Sequence, residues 1–187
     1  TRLFVDEANR MPMRTLNVLL GVLSRGAVRL TEHDSEEVVK AEGFQVVMAM
    51  NLGKAYAVNG LDRALMDRFS TVLHFDYLDA KHEAKLLSDR TGIDATLAAK
   101  MVKVANETRK LRKERQLTAE ISPRGLFAWA EKYLRVVPDV KARVYLGELV
   151  HAAEVTWMHA VAGTDADGYL HEENAGTLRS LIEAHCA

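Results

Sequence analysis

Hydrophobic and polar positions divide the 187 residues into a mixed first part and a helical second part, with the change near residues 75–79. The chain opens on Leu3-Phe4-Val5, an apolar run that stops abruptly at two carboxylates, Asp6 and Glu7. A run without alternation predicts a strand hidden on both faces. Pro12 suits a first helical turn, and Leu16, Leu19, Leu20 and Leu23 then share one face of a helix that stops near residues 24–26. Ala27 to Leu30 and Val38 to Lys40 flank the polar, acidic stretch Thr31 to Glu37, which reads as a hairpin with an exposed tip. A second apolar run, Phe44 to Met50, ends at Asn51. A loop over residues 52–60, a short helix holding Arg63 and Arg68, and a last strand at Thr71 to Phe75 complete this part.

From there the spacing changes to that of helices, expected near residues 80–89, 94–113, 123–136, 140–162 and 172–185. In the second of these, Leu97, Met101, Val104, Ala105, Thr108 and Leu111 recur at helical spacing and should face a core. Hydrophobic residues make up 48% of the sequence, enough for packed cores. With 25 basic against 26 acidic residues there is no global field to recruit nucleic acid or acidic membranes. One cysteine, Cys186, excludes a disulfide framework within the chain, and no apolar stretch has the length of a membrane span. These features fit a reducing, cytoplasmic setting.

The polar residues that end the apolar runs come in a telling order. Asp6-Glu7-Ala8-Asn9-Arg10 closes the first run, Asn51 the second, and Ala64-Leu65-Met66-Asp67-Arg68-Phe69 and Ser122-Pro123-Arg124 follow, with Trp129-Ala130-Glu131 after that. In this order and these surroundings they resemble the second half of an AAA+ ATPase of the MoxR-type branch, which includes CbbQ/NorQ-like activators and the small subunit of cobaltochelatase. The likeness covers residues 1 to about 135. It implies an α/β fold, the C-terminal part of an AAA+ P-loop core over residues 1–78, with an incomplete parallel sheet flanked by helices. An all-α lid domain over residues 79–187 would follow. In that fold the strand before Asp6 lies beside the strand before Asn51, and the family's first strand separates the latter from the last strand.

The resemblance places Asp6 and Glu7 in the Walker B motif, Asn51 at sensor 1, Arg68 at the arginine finger and Arg124 at sensor 2. Its implied cofactors are ATP and Mg²⁺. Asp6 would hold Mg²⁺ through water, since this ion keeps several waters and takes few carboxylates. Glu7, one step further along the strand and facing the other way, would activate the attacking water. Asn51 would offer an amide N–H to that water or to the γ-phosphate. Arg68 would reach into a neighbouring subunit's site, and Arg124 would contact the γ-phosphate. Arg63 is either a second finger or the partner of Asp67 in a structural ion pair. Asn9 and Arg10 match the branch motif, and their structural roles would be helix capping and a surface salt bridge.

A phosphate-cradling loop requires G-x-x-x-x-G-K-[ST]. Gly21 and Gly26 have the glycine spacing but are followed by Ala27-Val28, and Gly53-Lys54 is followed by Ala55. The sequence is therefore expected to be a fragment that begins at the Walker B strand. The implied assembly is a homo-oligomeric, hexameric ring that remodels or activates a client enzyme together with a von Willebrand A domain protein. The alternatives are a DNA-handling AAA+ motor and a cobaltochelatase subunit for metal insertion. Against the first, His33-Asp34-Ser35-Glu36-Glu37 at the hairpin tip would repel phosphate.

Other polar groupings read as structural. His151, Glu154 and His159 have the wrong spacing to converge on a metal. Asp165-Ala166-Asp167-Gly168 lacks the first and last ligands of a calcium loop and reads as an interhelical turn. Arg109, Lys110, Arg112, Lys113 and Arg115 form a basic helix end, where cations favour the helix dipole.

Overall fold

A computed structural model describes residues 1–30, 36–51, 63–137 and 144–187. These form two compact units, Thr1–His74 and Phe75–Ala187. The first unit runs β1 (Arg2–Val5), a 3-10 turn (Ala8–Arg10), α1 (Met13–Arg25), β2 (Ala27–Leu30), β3 (Glu36–Val39), β4 (Gln45–Met48) and α2 (Arg63–Met66). β1 and β4 pair in parallel, with Arg2 opposite Gln45 and Val5 opposite Met48. Parallel neighbours cannot be joined by a tight turn. Here α1 and the β2–β3 ribbon occupy the connection. Among the described residues of this unit, Ala8, Leu16 and Leu65 are the buried hydrophobic side chains. The face expected of α1 is the inward one, with Leu16 buried and Leu19, Leu20 and Leu23 half-buried.

Three expectations for this unit need correction. β1 is not hidden on both faces, since Phe4 is 62% and Leu3 37% exposed. Double burial requires cover on each side of a sheet, and this sheet has two strands among the described residues. The segment Thr71 to Phe75 is not a strand: it has no ladder partner among the described residues, and Leu73 and Phe75 lie largely in solvent. Apolar content alone does not make a strand where no neighbouring backbone takes up its N–H and C=O groups. The ribbon, finally, extends further than its charge pattern suggests. Glu36 and Glu37 belong to β3, opposite Leu30 and Arg29, and the Lys40 N–H closes the ladder on the Gly26 carbonyl at 2.7 Å. Acidic residues are tolerated there because Glu37 is exposed and faces a cation across the strands. The rest of the expected tip and the loop over residues 52–60 lie outside the described residues.

The second unit is helical: α3 (Ala80–Thr91), α4 (Ala95–Lys113), α5 (Pro123–Val136), α6 (Leu146–Ala153), a π turn (Glu154–Met158), α7 (His159–Ala162) and α8 (Glu172–Cys186). Its helix starts are written in the sequence. Asp79, Asp94 and Ser122 each accept backbone N–H bonds from the first turn that follows them. Gly92 ends α3 at φ 78°, a left-handed position that suits glycine. α3 and α8 pack on α4, while α5 lies on α6 and the π turn. At the centre Trp129 and Trp157 meet edge to face with centroids 5.3 Å apart, and Trp129 donates to the Leu149 carbonyl at 2.8 Å. The inward face expected of α4 is buried from Leu97 to Thr108, with Leu111 partly so.

Arg109 does more than face the helix dipole at the basic helix end. Its guanidinium is buried and donates to both oxygens of the equally buried Glu83, at 2.6 and 2.7 Å. The Tyr77 ring covers the guanidinium face at 3.7 Å. The Tyr77 hydroxyl meets Glu120, which also pairs with Arg112. Glu83→Ala would leave this charge without its carboxylate and should lower the unit's stability by about 3–5 kcal/mol. Both tryptophans of the chain lie in this core, so urea unfolding followed by Trp fluorescence reads this unit. A loss under ~1 kcal/mol would show that the pair is no stronger than a surface one.

Candidate functional site

β1 ends at Val5, and the chain turns at once through Asp6 and Glu7 into the 3-10 turn. Glu7 adopts φ 49° and ψ 40°, the left-handed region that residues with a Cβ rarely enter. The expectation that Asp6 and Glu7 alternate as on a strand is therefore corrected, because pleat alternation ends with the ladder. Strain of this kind persists where the surroundings fix it. Here the fixing bonds are visible. Ala49 donates to the Val5 carbonyl at 2.8 Å, Ala8 donates to the Ala49 carbonyl at 3.0 Å, and the Asn9 side chain donates to the Asn51 carbonyl at 2.9 Å. The two strand ends are thereby stitched together, which brings Asp6, Glu7 and Asn51 to the same edge of the sheet.

At that edge the carboxylates are exposed and locally ordered. The Glu7 N–H donates to Asp6 Oδ1 at 2.9 Å, and Glu7 Oε2 pairs with Arg10 at 3.1 Å. Asn51 is exposed, with its carbonyl engaged by Asn9. Asn9 is the residue whose part the sequence understated. It is 6% exposed and joins two loops instead of capping a helix. The signal was present as an amide side chain just after the acidic pair, but its partner lies 42 positions away.

Arg63 begins α2 and is exposed, and no ion pair joins it to Asp67 among the described residues. Arg68 follows the same helix and folds back on its own unit. Its Nε donates to Ser24 Oγ at 2.6 Å, and its Nη1 donates to the Ala64 carbonyl. In the second unit, Arg124 is the second residue of α5, exposed directly after Ser122 and Pro123. Ser122 Oγ accepts from the Gly125 N–H at 3.1 Å, and Pro123, Leu126 and Phe127 pack around Leu78, Leu86 and Leu87. The first turn of α5 is thus anchored, and it presents the Arg124 guanidinium at the surface.

Oxygen donors at a strand end suit a hard cation such as Mg²⁺, for which one or two carboxylates suffice. Among the described residues no three His, Cys, Asp or Glu side chains gather into a denser metal site. That includes His151, Glu154 and His159, of which Glu154 pairs instead with Arg179 at 2.8 Å. Asp165 closes a turn by accepting from the Asp167 and Tyr169 N–H groups. Cys186 is buried, and burial pushes its thiol up to about 11, which leaves it inert as a nucleophile at neutral pH. No helix among the described residues is long and apolar enough to cross a membrane.

Residues 2–69 match the family model described as AAA domain (dynein-related subfamily), and residues 83–155 match CbbQ/NirQ/NorQ C-terminal. These two matches support an AAA+ ATPase of the MoxR type. This AAA+ chain is similar to an uncharacterized protein of Staphylococcus aureus (strain NCTC 8325 / PS 47), 33% identical over 125 residues, covering 63% of the chain and 44% of that protein. It is also similar to an uncharacterized protein of Staphylococcus saprophyticus, 29% identical over 119 residues with the same coverage. The AAA+ chain thus spans less than half the length of the curated relatives it matches.

Asn9→Ala should loosen the stitched end of this AAA+ sheet and leave the strand ladder in place. Losing one buried hydrogen bond costs about 1–3 kcal/mol. The Ala8 amide should therefore exchange with deuterium roughly tenfold faster or more, while amides within β4 change less. Equal acceleration at both places would mean that Asn9 supports the whole unit and not this edge.

Proposed function

We propose that this chain forms the Walker B-to-lid portion of an ATP-hydrolysing, ring-forming remodeller that activates a partner protein. The observation that carries this reading is the Asp6-Glu7 turn tied through Asn9 to Asn51 at the carboxyl end of parallel β1 and β4. Ligands of open α/β sheets lie at that end. Bound Mg²⁺ and ATP supply the phosphoanhydride to be split and the cation that neutralises its charge. Asp6 holds the metal through water, and Glu7 orients and deprotonates the attacking water. Asn51 donates its amide N–H toward the γ-phosphate. The acid–base work falls to Glu7 because Asp6 is spent on the metal and Asn51 cannot accept a proton at neutral pH.

Arg68, with Arg63 as a second candidate, serves the neighbouring subunit's site as its arginine finger. Arg124 reaches the γ-phosphate from the first turn of the lid helix α5 and makes lid angle sensitive to nucleotide state. The core comprises residues 1–78 and the lid residues 79–187. A hexameric, cytoplasmic ring working with a von Willebrand A domain protein on a client enzyme is the assembly we favour. Resemblance to the CbbQ/NorQ-like activators supports it, and insertion of metal as a cobaltochelatase subunit is the variant closest to it.

The 187 residues alone should neither bind nor split ATP, because the phosphate-cradling motif is not among them. Micromolar ATP binding by this segment in calorimetry would overturn that part of the proposal. In the complete protein, Glu7→Gln should keep nucleotide binding and abolish turnover. Arg68→Ala should lower turnover roughly 10³- to 10⁵-fold, the range of separable arginine fingers. Mixed rings of the two variants should regain activity at junctions that pair an intact base with an intact finger. Dead mixtures whose component variants have also lost ATP binding would refute the assignment across subunits.

A further inference from the structure

We infer that Ser24 is a positioning residue for Arg68. Its hydroxyl oxygen and the Ala64 carbonyl hold Nε and Nη1 of the guanidinium and leave Nη2 to face an anion of the neighbouring subunit. This rests on the reading of Arg68 as the finger. Two acceptors from separate elements hold one side chain: Ser24 Oγ near the end of α1 takes Nε–H at 2.6 Å, and the Ala64 carbonyl of α2 takes Nη1. Holding Nε fixes the plane of the guanidinium, because that nitrogen lies between the stem and the planar group. The third nitrogen, Nη2, has no hydrogen-bond partner among the described residues.

An exposed arginine is otherwise one of the most rotamer-rich side chains, and ordering it at the moment of reaction opposes turnover. A guanidinium can satisfy acceptors on two sides at once, since its donors form a rigid planar fork. The grip therefore orders the finger beforehand without consuming it. Ser24 is suited to this task by its place. It stands at the penultimate position of α1, where the helix fixes its backbone, and Gly26 at φ 77° ends the helix two residues later. The residue is exposed, so replacing its hydroxyl disturbs no core.

The test measures steady-state ATP turnover of the complete, assembled protein, with sedimentation as the check on assembly. Ser24→Ala should lower kcat about tenfold with KM and assembly unchanged, the scale of a mispositioned group short of its removal. Ser24→Thr, which keeps the oxygen, should stay within about twofold of the parent. In an Arg68→Ala background, Ser24→Ala should cause no further loss, since there is no finger left to position. If Arg68→Ala abolishes turnover while Ser24→Ala leaves kcat unchanged or raises it, the positioning role is overturned and the finger stands. If Arg68→Ala itself leaves turnover intact, the finger reading fails and the Ser24 proposal with it.

Discussion

The hydrogen bonds that join the end of β1 to the end of β4 are the constraint on which the polar edge of the sheet depends. Without them, Asp6 and Glu7 would leave the strand as a free turn, and Asn51 would start an independent loop. The Ala49 and Ala8 amides continue the ladder one step past the strands, and the Asn9 side chain adds a rung that the backbone could not supply. This explains how Glu7 holds a left-handed backbone without being glycine. A buried amide bond and two ladder bonds together outweigh a strain of order 1–3 kcal/mol.

The helical unit has its own organising contact, built from unlike parts. Arg109 from α4 and Glu83 from α3 form a buried ion pair in which both carboxylate oxygens accept from the guanidinium. Pairs of this kind add little net stability over an apolar contact, but they tolerate few alternative arrangements. The Tyr77 ring lies on the face of the guanidinium, so residues leading into α3 are fixed in place before the Asp79 cap begins the helix. The pair sets where the helical unit starts as well as how α3 lies on α4.

Much of this was legible in the sequence where local rules decide. The caps at Asp79, Asp94 and Ser122, the α4 face and the order of polar residues after the apolar runs all depend on near neighbours. What was not legible depends on distant ones. Arg109 reads as a helix-end cation until Glu83 arrives from another helix, and Asn9 reads as a cap until Asn51 approaches across the sheet. Thr71 to Phe75 fails in the opposite sense. Its residues favour a strand, but a strand is a property of two backbones, and no partner is paired with this one among the described residues.

The π turn at Glu154–Met158 shifts the helix that contains it. Before it, Leu149, Ala152 and Ala153 are the buried positions; at its end and after it, Trp157, Met158, Val161 and Ala162 are buried, while His159 and Ala160 are exposed. A regular helix continuing the first stripe would turn Ala160 inward and Ala162 away. The widened turn accommodates one additional residue and advances the stripe by one position, about 100° of rotation. A one-residue deletion within the turn would restore a regular helix and bring Val161 to the position that faces inward, so this is a place where relatives can differ in length by one residue and keep the buried stripe.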